Sequence, residues 1–334
     1  MKRREFISLI TGAAASPLVA RAQQPAKTKR IALVHPSDLA TNMVPSYAPF
    51  YHAFFDEIGR VGFVEGKNLI VERYSGAGQS DRFAQLARDV VDTYPDAITA
   101  FDAVIAFYCK TATKTIPIAT VSPDPVAVGL VPSIARPGGN LTGIAVDAGL
   151  EIWGKRLGVL KEVLPRLSNV SILMTTRGTW EGPYGSGIRE AAKNANIRMN
   201  GVLFESAPDE AAYQHAFAEF ERDRPDALMI SESPIHLQNW ATIVGLAAKH
   251  RLPGMYTWKE FVEGGGLMSY SFDLVELGHL IGHQTAQVLS GTNPADLPFI
   301  QVTRLLLALN LKTAKSLGIE FPATLLGSAD FIIE

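Results

Sequence analysis

The sequence predicts an α/β fold built as two doubly wound parallel-sheet lobes, and three observations carry that prediction. Short apolar runs alternate with stretches of helical apolar spacing from residue 31 onward, the pattern of parallel strands with helices on both faces. The alternation yields more strand–helix units than one sheet holds comfortably, and it restarts near residue 145. Of the 334 residues, 47% are hydrophobic and 19% charged, enough for a sizeable core and a length suited to about two domains.

The elements follow in order. Ile31-Ala32-Leu33-Val34 is a compact apolar run ending in His35-Pro36-Ser37-Asp38, a buried strand and its turn. From Tyr47, the residues Phe50, Tyr51, Phe54, Phe55 and Ile58 recur at helical spacing, and Gly59 and Gly62 fall where that helix ends. Asn68 to Tyr74 reads as a second strand. Asp81 is expected to cap a helix whose buried stripe is Phe83, Leu86, Ala87, Val90 and Val91. Asp96 to Phe101 is a third strand, residues 103–113 a helix and Ile116 to Val121 a fourth strand. Pro137-Gly138-Gly139-Asn140 is a turn or a plain loop before the strand Leu141 to Val146. The series then repeats: a helix from Ile152 to Leu164 stopped by Pro165, a strand from Asn169 to Met174, a helix from Gly187 to Ala195, a strand from Ile197 to Phe204, a helix from Glu210 to Arg222 and a strand from Asp226 to Ser231. One helix with the stripe Leu237, Trp240, Val244 and Ala247 leads to the strand Leu252 to Tyr256.

Residues 1–22 read as an export signal: Lys2, Arg3 and Arg4 precede an apolar run from Phe6 to Val19, and Ala20-Arg21-Ala22 is a small-x-small cleavage site. Arg3-Arg4-Glu5-Phe6-Ile7-Ser8-Leu9 is similar to a twin-arginine motif. That run is too short to cross a bilayer, which takes ~20 apolar residues, and no later run is longer. The expected product is soluble and periplasmic. A formal charge of −2 gives no electrostatic case for binding nucleic acid. The single cysteine, Cys109, rules out a disulfide within the chain and a cysteine metal cluster.

Catalytic patterns are weak. Gly185-Ser186-Gly187 lacks the G-x-S-x-G spacing of a nucleophile elbow, and neither a Walker pattern nor G-x-G-x-x-G is present. His279 and His283 stand four apart on a helix with Glu276 one turn earlier, but no third metal ligand is evident. An exposed helical face explains them, and no cofactor or metal is expected. Open parallel sheets bind ligands beyond the carboxyl ends of their strands. That rule selects His35 to Asn42, Phe101 to Val104 and Ser122 to Val126 in the first half, and Thr175 to Gly187, Ser231 to His236 and Tyr256 to Glu260 in the second. Ser37 and Thr176 offer hydroxyls there. Asp38, Asp102, Asp124 and Glu232 offer carboxylates, of which one such as Asp102 or Glu232 suits a ligand ammonium, and Trp180, Tyr184, Tyr256, Trp258 and Tyr270 offer flat rings. Helix capping by Asp102 and turn formation by Asp124 in Pro123-Asp124-Pro125 are the competing structural roles.

Several segments together resemble one family of ABC-transporter substrate-binding proteins. These are Ala135-Arg136-Pro137-Gly138-Gly139-Asn140-Leu141-Thr142-Gly143, the run from Glu260-Phe261-Val262-Glu263-Gly264-Gly265-Gly266 to Tyr270, Gly62-Phe63-Val64-Glu65-Gly66-Lys67-Asn68, Asp124-Pro125-Val126 with Gly129-Leu130-Val131, and Asn310-Leu311-Lys312-Thr313-Ala314-Lys315. The resemblance implies a type I periplasmic binding fold, two lobes joined by three crossing segments. On that reading lobe 1 spans 29–145 plus about 271–300 and lobe 2 spans 146–270 plus about 301–334. Relatives that bind aromatic amino acids suit the ring-rich loops. The chain departs from the family at Phe101-Asp102-Ala103-Val104, where small residues are usual, and at Arg177 and Trp180.

The expected function is a non-catalytic, monomeric receptor that closes by hinge motion around a small polar or aromatic solute, an amino acid or aromatic acid, and delivers it to an inner-membrane ABC permease. Ser37, Asp102, Asp124, Thr176, Trp180, Glu232, Tyr256 and Tyr270 are its expected ligand contacts. An exported α/β enzyme acting on a small substrate and a ligand-presenting sensory protein are the alternatives.

Overall fold

The computed structural model describes residues 28–146, 151–175, 177–204 and 207–334. The export signal at residues 1–22 and the expected contact Thr176 lie outside the described residues.

The first half alternates as expected: β1 (Lys29–His35), α1 (Pro49–Arg60), β2 (Leu69–Ser75), α2 (Phe83–Asp92), β3 (Ala97–Ala100), α3 (Ala103–Ala112), β4 (Ile118–Ser122) and β5 (Leu141–Ala145). The second half runs through α4 (Glu151–Val163), β6 (Asn169–Met174), α5 (Arg177–Glu181), α6 (Pro183–Asn194), β7 (Arg198–Leu203), α7 (Glu210–Glu219), β8 (Ala227–Ile230), α8 (Pro234–Gln238), α9 (Trp240–Lys249), β9 (Gly254–Tyr256), α10 (Lys259–Glu263) and β10 (Met268–Ser271). The chain then returns to the first half with α11 (Leu274–Leu289) and β11 (Ile300–Gln301), and ends in the second with β12 (Leu306–Asn310), α12 (Leu311–Leu317), α13 (Ala323–Ser328) and β13 (Phe331–Ile333).

The strands form two sheets, ordered β2-β1-β3-β4-β5-β11 and β7-β6-β8-β9-β10-β12-β13. The chain therefore passes between the sheets three times, after β5, after β10 and after β11. Every pairing in the first sheet is parallel. Such a sheet is covered on both faces, so Ile31, Ala32, Leu33 and Val34 are all fully buried, as a continuous apolar run requires. In the second sheet β12 runs antiparallel to β10, pairing Met268 with Leu309. That sheet is thus mostly rather than wholly parallel.

Helix α11 ties the last third of the chain to the first sheet. It packs on α1 and on β4 and β5. The approach to α1 needs glycine: a Cβ at Gly278 would run into the Phe50 carbonyl, and one at Gly282 would lie 2.8 Å from that of Phe54. Thr285 and Thr99 share a buried hydroxyl–hydroxyl bond of 2.9 Å, and Gln284 Nε2 donates to the Pro298 carbonyl at 2.8 Å. His279 and His283 lie beside Glu57 of α1, at 3.7 and 3.5 Å.

Local differences from the sequence reading have simple causes. Asp81 does not cap α2. It sits inside a 3-10 turn, and the cap residue Arg82 is itself in the right-handed helical region, leaving no extended residue whose side chain can fold back on the amides. The segment 175–187 is not a loop but holds α5 and the start of α6, which opens on Pro183 at its first position. The single helix expected around Leu237 to Ala247 is two, broken at Asn239, whose side chain donates to the Ile235 carbonyl at 2.8 Å. Trp240 opens the second helix and is 37% exposed, off the buried stripe.

Two glycines separate packing from propensity. A Cβ at Gly143 in β5 would collide with the backbone of Thr120, whereas one at Gly154, on the exposed side of α4, meets nothing. Gly143→Ala is expected to destabilise by roughly 3 kcal/mol or more. Gly154→Ala is expected to stabilise by about 0.5–1 kcal/mol. Urea titration of the two variants would measure opposite signs.

Candidate ligand-binding site

The carboxyl ends of the strands in both sheets open on one cavity of about 470 Å³, within the usual size range of small-molecule sites. The first lobe supplies His35 at the end of β1 and Asp38 after it, Phe50 and Tyr51 from the start of α1, and Phe101 and Asp102 after β3. The second supplies Glu232 after β8, Gln238 at the end of α8, and Trp258 and Glu260 after β9. Val146 and Phe272, on two of the passages between sheets, complete the floor with Leu274 and Leu277 of α11.

The walls are aromatic. The Phe101 ring meets Phe50, Tyr51 and Phe54 edge-on, at centroid distances of 5.5, 5.8 and 5.5 Å. Across the cavity Trp258 packs against Phe272 at 6.2 Å and lies nearly parallel to Phe261 at 6.4 Å. Edge-to-face contacts of this kind hold ring orientation as well as burying area.

The polar groups are arranged around carboxylates. Asp38 accepts from the Tyr51 hydroxyl at 2.5 Å and from Gln238 Nε2 at 2.5 Å. His35 accepts the backbone N–H of Ser37 and Asp38 on Nδ1, at 3.1 and 2.7 Å. Its proton therefore sits on Nε2, and burial pushes the imidazole pKa below its ordinary value, with nearby Asp38 acting in the opposite direction. Glu232 is held from behind: Arg156 Nη2 donates at 2.6 Å and the Tyr184 hydroxyl at 2.9 Å. Arg156 is only 1% exposed, stacks on Trp153 at 4.7 Å and donates from Nε to the Tyr270 carbonyl at 2.8 Å.

Among the described residues neither Asp102 nor Glu260 has a hydrogen-bonded cation, although the charge of Lys259 acts on Glu260. Asp102 caps α3, accepting from the Val104 N–H at 2.7 Å. Burial raises its pKa, against the lowering effect of the Val104 and Ile105 amides. Burial likewise raises that of Glu260, whose Oε2 is buried without a hydrogen-bond partner. The Trp258 indole N–H is also buried and unpartnered.

Of the eight expected contacts, the structure brings Asp102 and Glu232 to the cavity wall. Ser37 lies just behind it, 6% exposed, and accepts from Gln238 Nε2 at 3.0 Å. Asp124 closes a turn, accepting from the Val126 and Ala127 amides at 2.9 and 3.0 Å. Trp180 packs inside the second lobe, beneath the Arg189 guanidinium at 4.8 Å and against Gly201 of β7. Tyr256 is buried, stacked on Phe261 at 5.1 Å, and borders a separate cavity of about 190 Å³. Tyr270 packs on the second-lobe core. Residues that sequence reasoning did not single out include Tyr51, Gln238, Glu260 and Leu277. Glu260 ends a loop selected by the strand-end rule. Gln238 and Leu277 carried no signal, since their place depends on how the lobes face each other. Among the described residues no group of three or more His, Cys, Asp or Glu could hold a metal ion.

The raised pKa of Asp102 sets the sign of a pH effect. Ionising a buried carboxylate costs stability above its folded-state pKa, and the cost disappears as pH falls below its ordinary value. Asp102→Asn keeps the capping oxygen and removes the charge. The variant is therefore expected to melt higher than the wild type at neutral pH, by about 2 °C. The difference should close as pH falls toward about 4. Thermal melts of both proteins across that range check the sign.

The chain was then compared with known proteins. A curated "Tyrosine-binding protein" from Clostridioides difficile is 22% identical over 279 residues, covering 83% of this chain and 78% of that protein. A conserved domain protein from Vibrio cholerae superposes with a TM-score of 0.79 at 22% identity, over 92% of this chain and 100% of that one. An ABC domain in complex with L-Trp from Streptococcus pneumonia gives a TM-score of 0.78 at 20% identity, with the same coverage. These structures share the type I periplasmic binding fold with this chain. The family model for ABC transporter substrate binding proteins matches residues 44–333. The chain belongs to that family of ABC transporter substrate-binding proteins.

Proposed function

We propose that this chain is the periplasmic solute-binding component of an ABC importer. It acts as a monomer, holds a small amino-acid-like aromatic solute between its lobes, and presents the closed form to an inner-membrane permease. The observation that carries this reading is a ring-lined cavity walled by both lobes, with three connections along which the lobes can rotate. Gln238 of the second lobe reaches Ser37 and Asp38 of the first, which supports closure as the functional motion. The names of the tyrosine-binding relative and of the L-Trp complex support an aromatic amino-acid-like solute. The signal-like residues 1–22 support export. Among the described residues no helix is long and apolar enough to cross a membrane.

A thermal-shift screen of aromatic amino acids, aromatic acids and aromatic amines tests the reading. A bound solute at a hundred times its Kd stabilises by about 2.7 kcal/mol, and small-angle scattering should show the particle contract on binding. Gln238→Ala removes both cross-lobe bonds and is expected to weaken that solute's affinity about tenfold. Absence of any binder, or chemical conversion of the compound that binds, would replace this reading with another.

A further inference from the structure

The cavity of about 190 Å³ that Tyr256 borders lies away from the cleft. The last turns of α9, the turn before β10 and the helix α12 enclose it. It therefore sits at the amino ends of β9 and β10, the edge of the second sheet opposite the strand ends that face the cleft. An apolar cavity of about 150 Å³ is enough to take up benzene, so this space admits a molecule of about one ring. Val244, Ala247, Leu252, Leu267 and Leu317 give it apolar walls.

The fold aims one polar group into that space. The Tyr256 ring runs back along its strand over Gly254 and Gly266, where a Cβ would come within 2.5 and 2.6 Å of its Cε2. Tyr256 is 1% exposed, and its hydroxyl makes no hydrogen bond among the described residues; burial alone raises its pKa. A buried tyrosine hydroxyl usually finds a partner. The other hydroxyls of the wall are spent on backbone: Thr313 Oγ1 donates to the Gly265 carbonyl and Ser316 Oγ to the Thr313 carbonyl, both at 2.8 Å.

Arg251 supplies the charge. It follows α9 with φ +52°, in the left-handed region that glycine usually fills after a helix and that strains other residues. At such a position the side chain, rather than the backbone, is what an arginine contributes. Its Nη2 donates to the Ser316 carbonyl of α12 at 3.1 Å, one of the five donors a guanidinium carries. Among the described residues Arg251 is the single charged side chain lining the cavity, and no carboxylate lines it.

We propose that this cavity is a second binding site, separate from the cleft, for a small carboxylate with an apolar body of about one ring. The Arg251 guanidinium and the Tyr256 hydroxyl are its hydrogen-bond donors, and the aliphatic side chains of α9, β10 and α12 take the body. The site goes beyond the solute-binding reading and does not depend on it.

Isothermal titration with benzoate and its neutral counterpart benzamide tests the proposal. Benzoate is expected to bind at least about tenfold more tightly than benzamide. Arg251→Gln should erase that preference, and Tyr256→Phe should weaken benzoate about tenfold. Ala248 lies on the exposed side of α9 and lines the cavity, so Ala248→Phe fills the space and should remove the site's equivalent of bound benzoate. None of these three residues lines the cleft. Circular dichroism and melting would show each variant folded. No benzoate binding, equal binding of benzamide, a preference that survives Arg251→Gln, or benzoate binding unchanged in Ala248→Phe overturns the second site. Each of these outcomes leaves the solute-binding reading of the cleft standing.

Discussion

Parallel pairing is the constraint on which the rest of the molecule depends. Strands that run the same way end on the same side, so every strand-to-helix loop of a sheet opens on one edge. Two such sheets, joined by three passages of the chain, place two sets of loops around a single space. Asp38 and Asp102 reach it from β1 and β3, Glu232 and Glu260 from β8 and β9. No local sequence pattern joins these four residues. The sheet does, and the return of α11 to the first lobe fixes the floor beneath them, because Gly278 and Gly282 let that helix close on α1.

Within that frame, buried charge separates support from recognition. Arg156 is nearly inaccessible, and each of its visible contacts is structural: the Glu232 carboxylate, the Trp153 ring and the Tyr270 carbonyl. Breaking such a pair leaves an uncompensated charge in a poor dielectric, which is costly. Asp102 and Glu260 are the opposite case, carboxylates that burial keeps where their ionised forms are disfavoured and that no arginine holds from behind. Sites that bind often carry groups that lower stability when empty.

The strand-end rule located most of the cavity loops from sequence, because it needs only element order. Phe101-Asp102 and Ser231-Glu232 were accessible to it for that reason. Side-chain direction was not. Tyr256 and Trp258 lie two residues apart, yet Tyr256 belongs to β9 and stacks under Phe261, while Trp258 lies past the strand end and meets the cavity. Trp180 stands in α5, a helix that no apolar period announced, and its ring turns inward onto Gly201. Gln238 touches Ser37 and Asp38 across about 200 positions of sequence, and only the facing of the lobes creates that contact. The antiparallel β12 is equally silent in the residue pattern, since Leu306 to Asn310 would be buried in either direction.

The described contacts between loops of the two lobes bear on how closure selects a solute. Gln238 bridges to Ser37 and Asp38, and the backbone of Gly78 lies against Ala207, so a Cβ there would come within 2.8 Å. The Gln238 bonds are polar, and a hydrogen bond that replaces one to water stabilises only by about 1 kcal/mol. Closing without a solute would also draw Asp102 and Glu260 further from water, which disfavours their ionised forms and opposes closure. A ligand shifts such an equilibrium only by as much as it binds the closed form better than the open one. A solute that touches Phe101 on one wall and Trp258 on the other supplies that difference through contacts the open form cannot make together. On the solute-binding reading, the strength of contacts shared between the two walls decides how long the jaws stay shut.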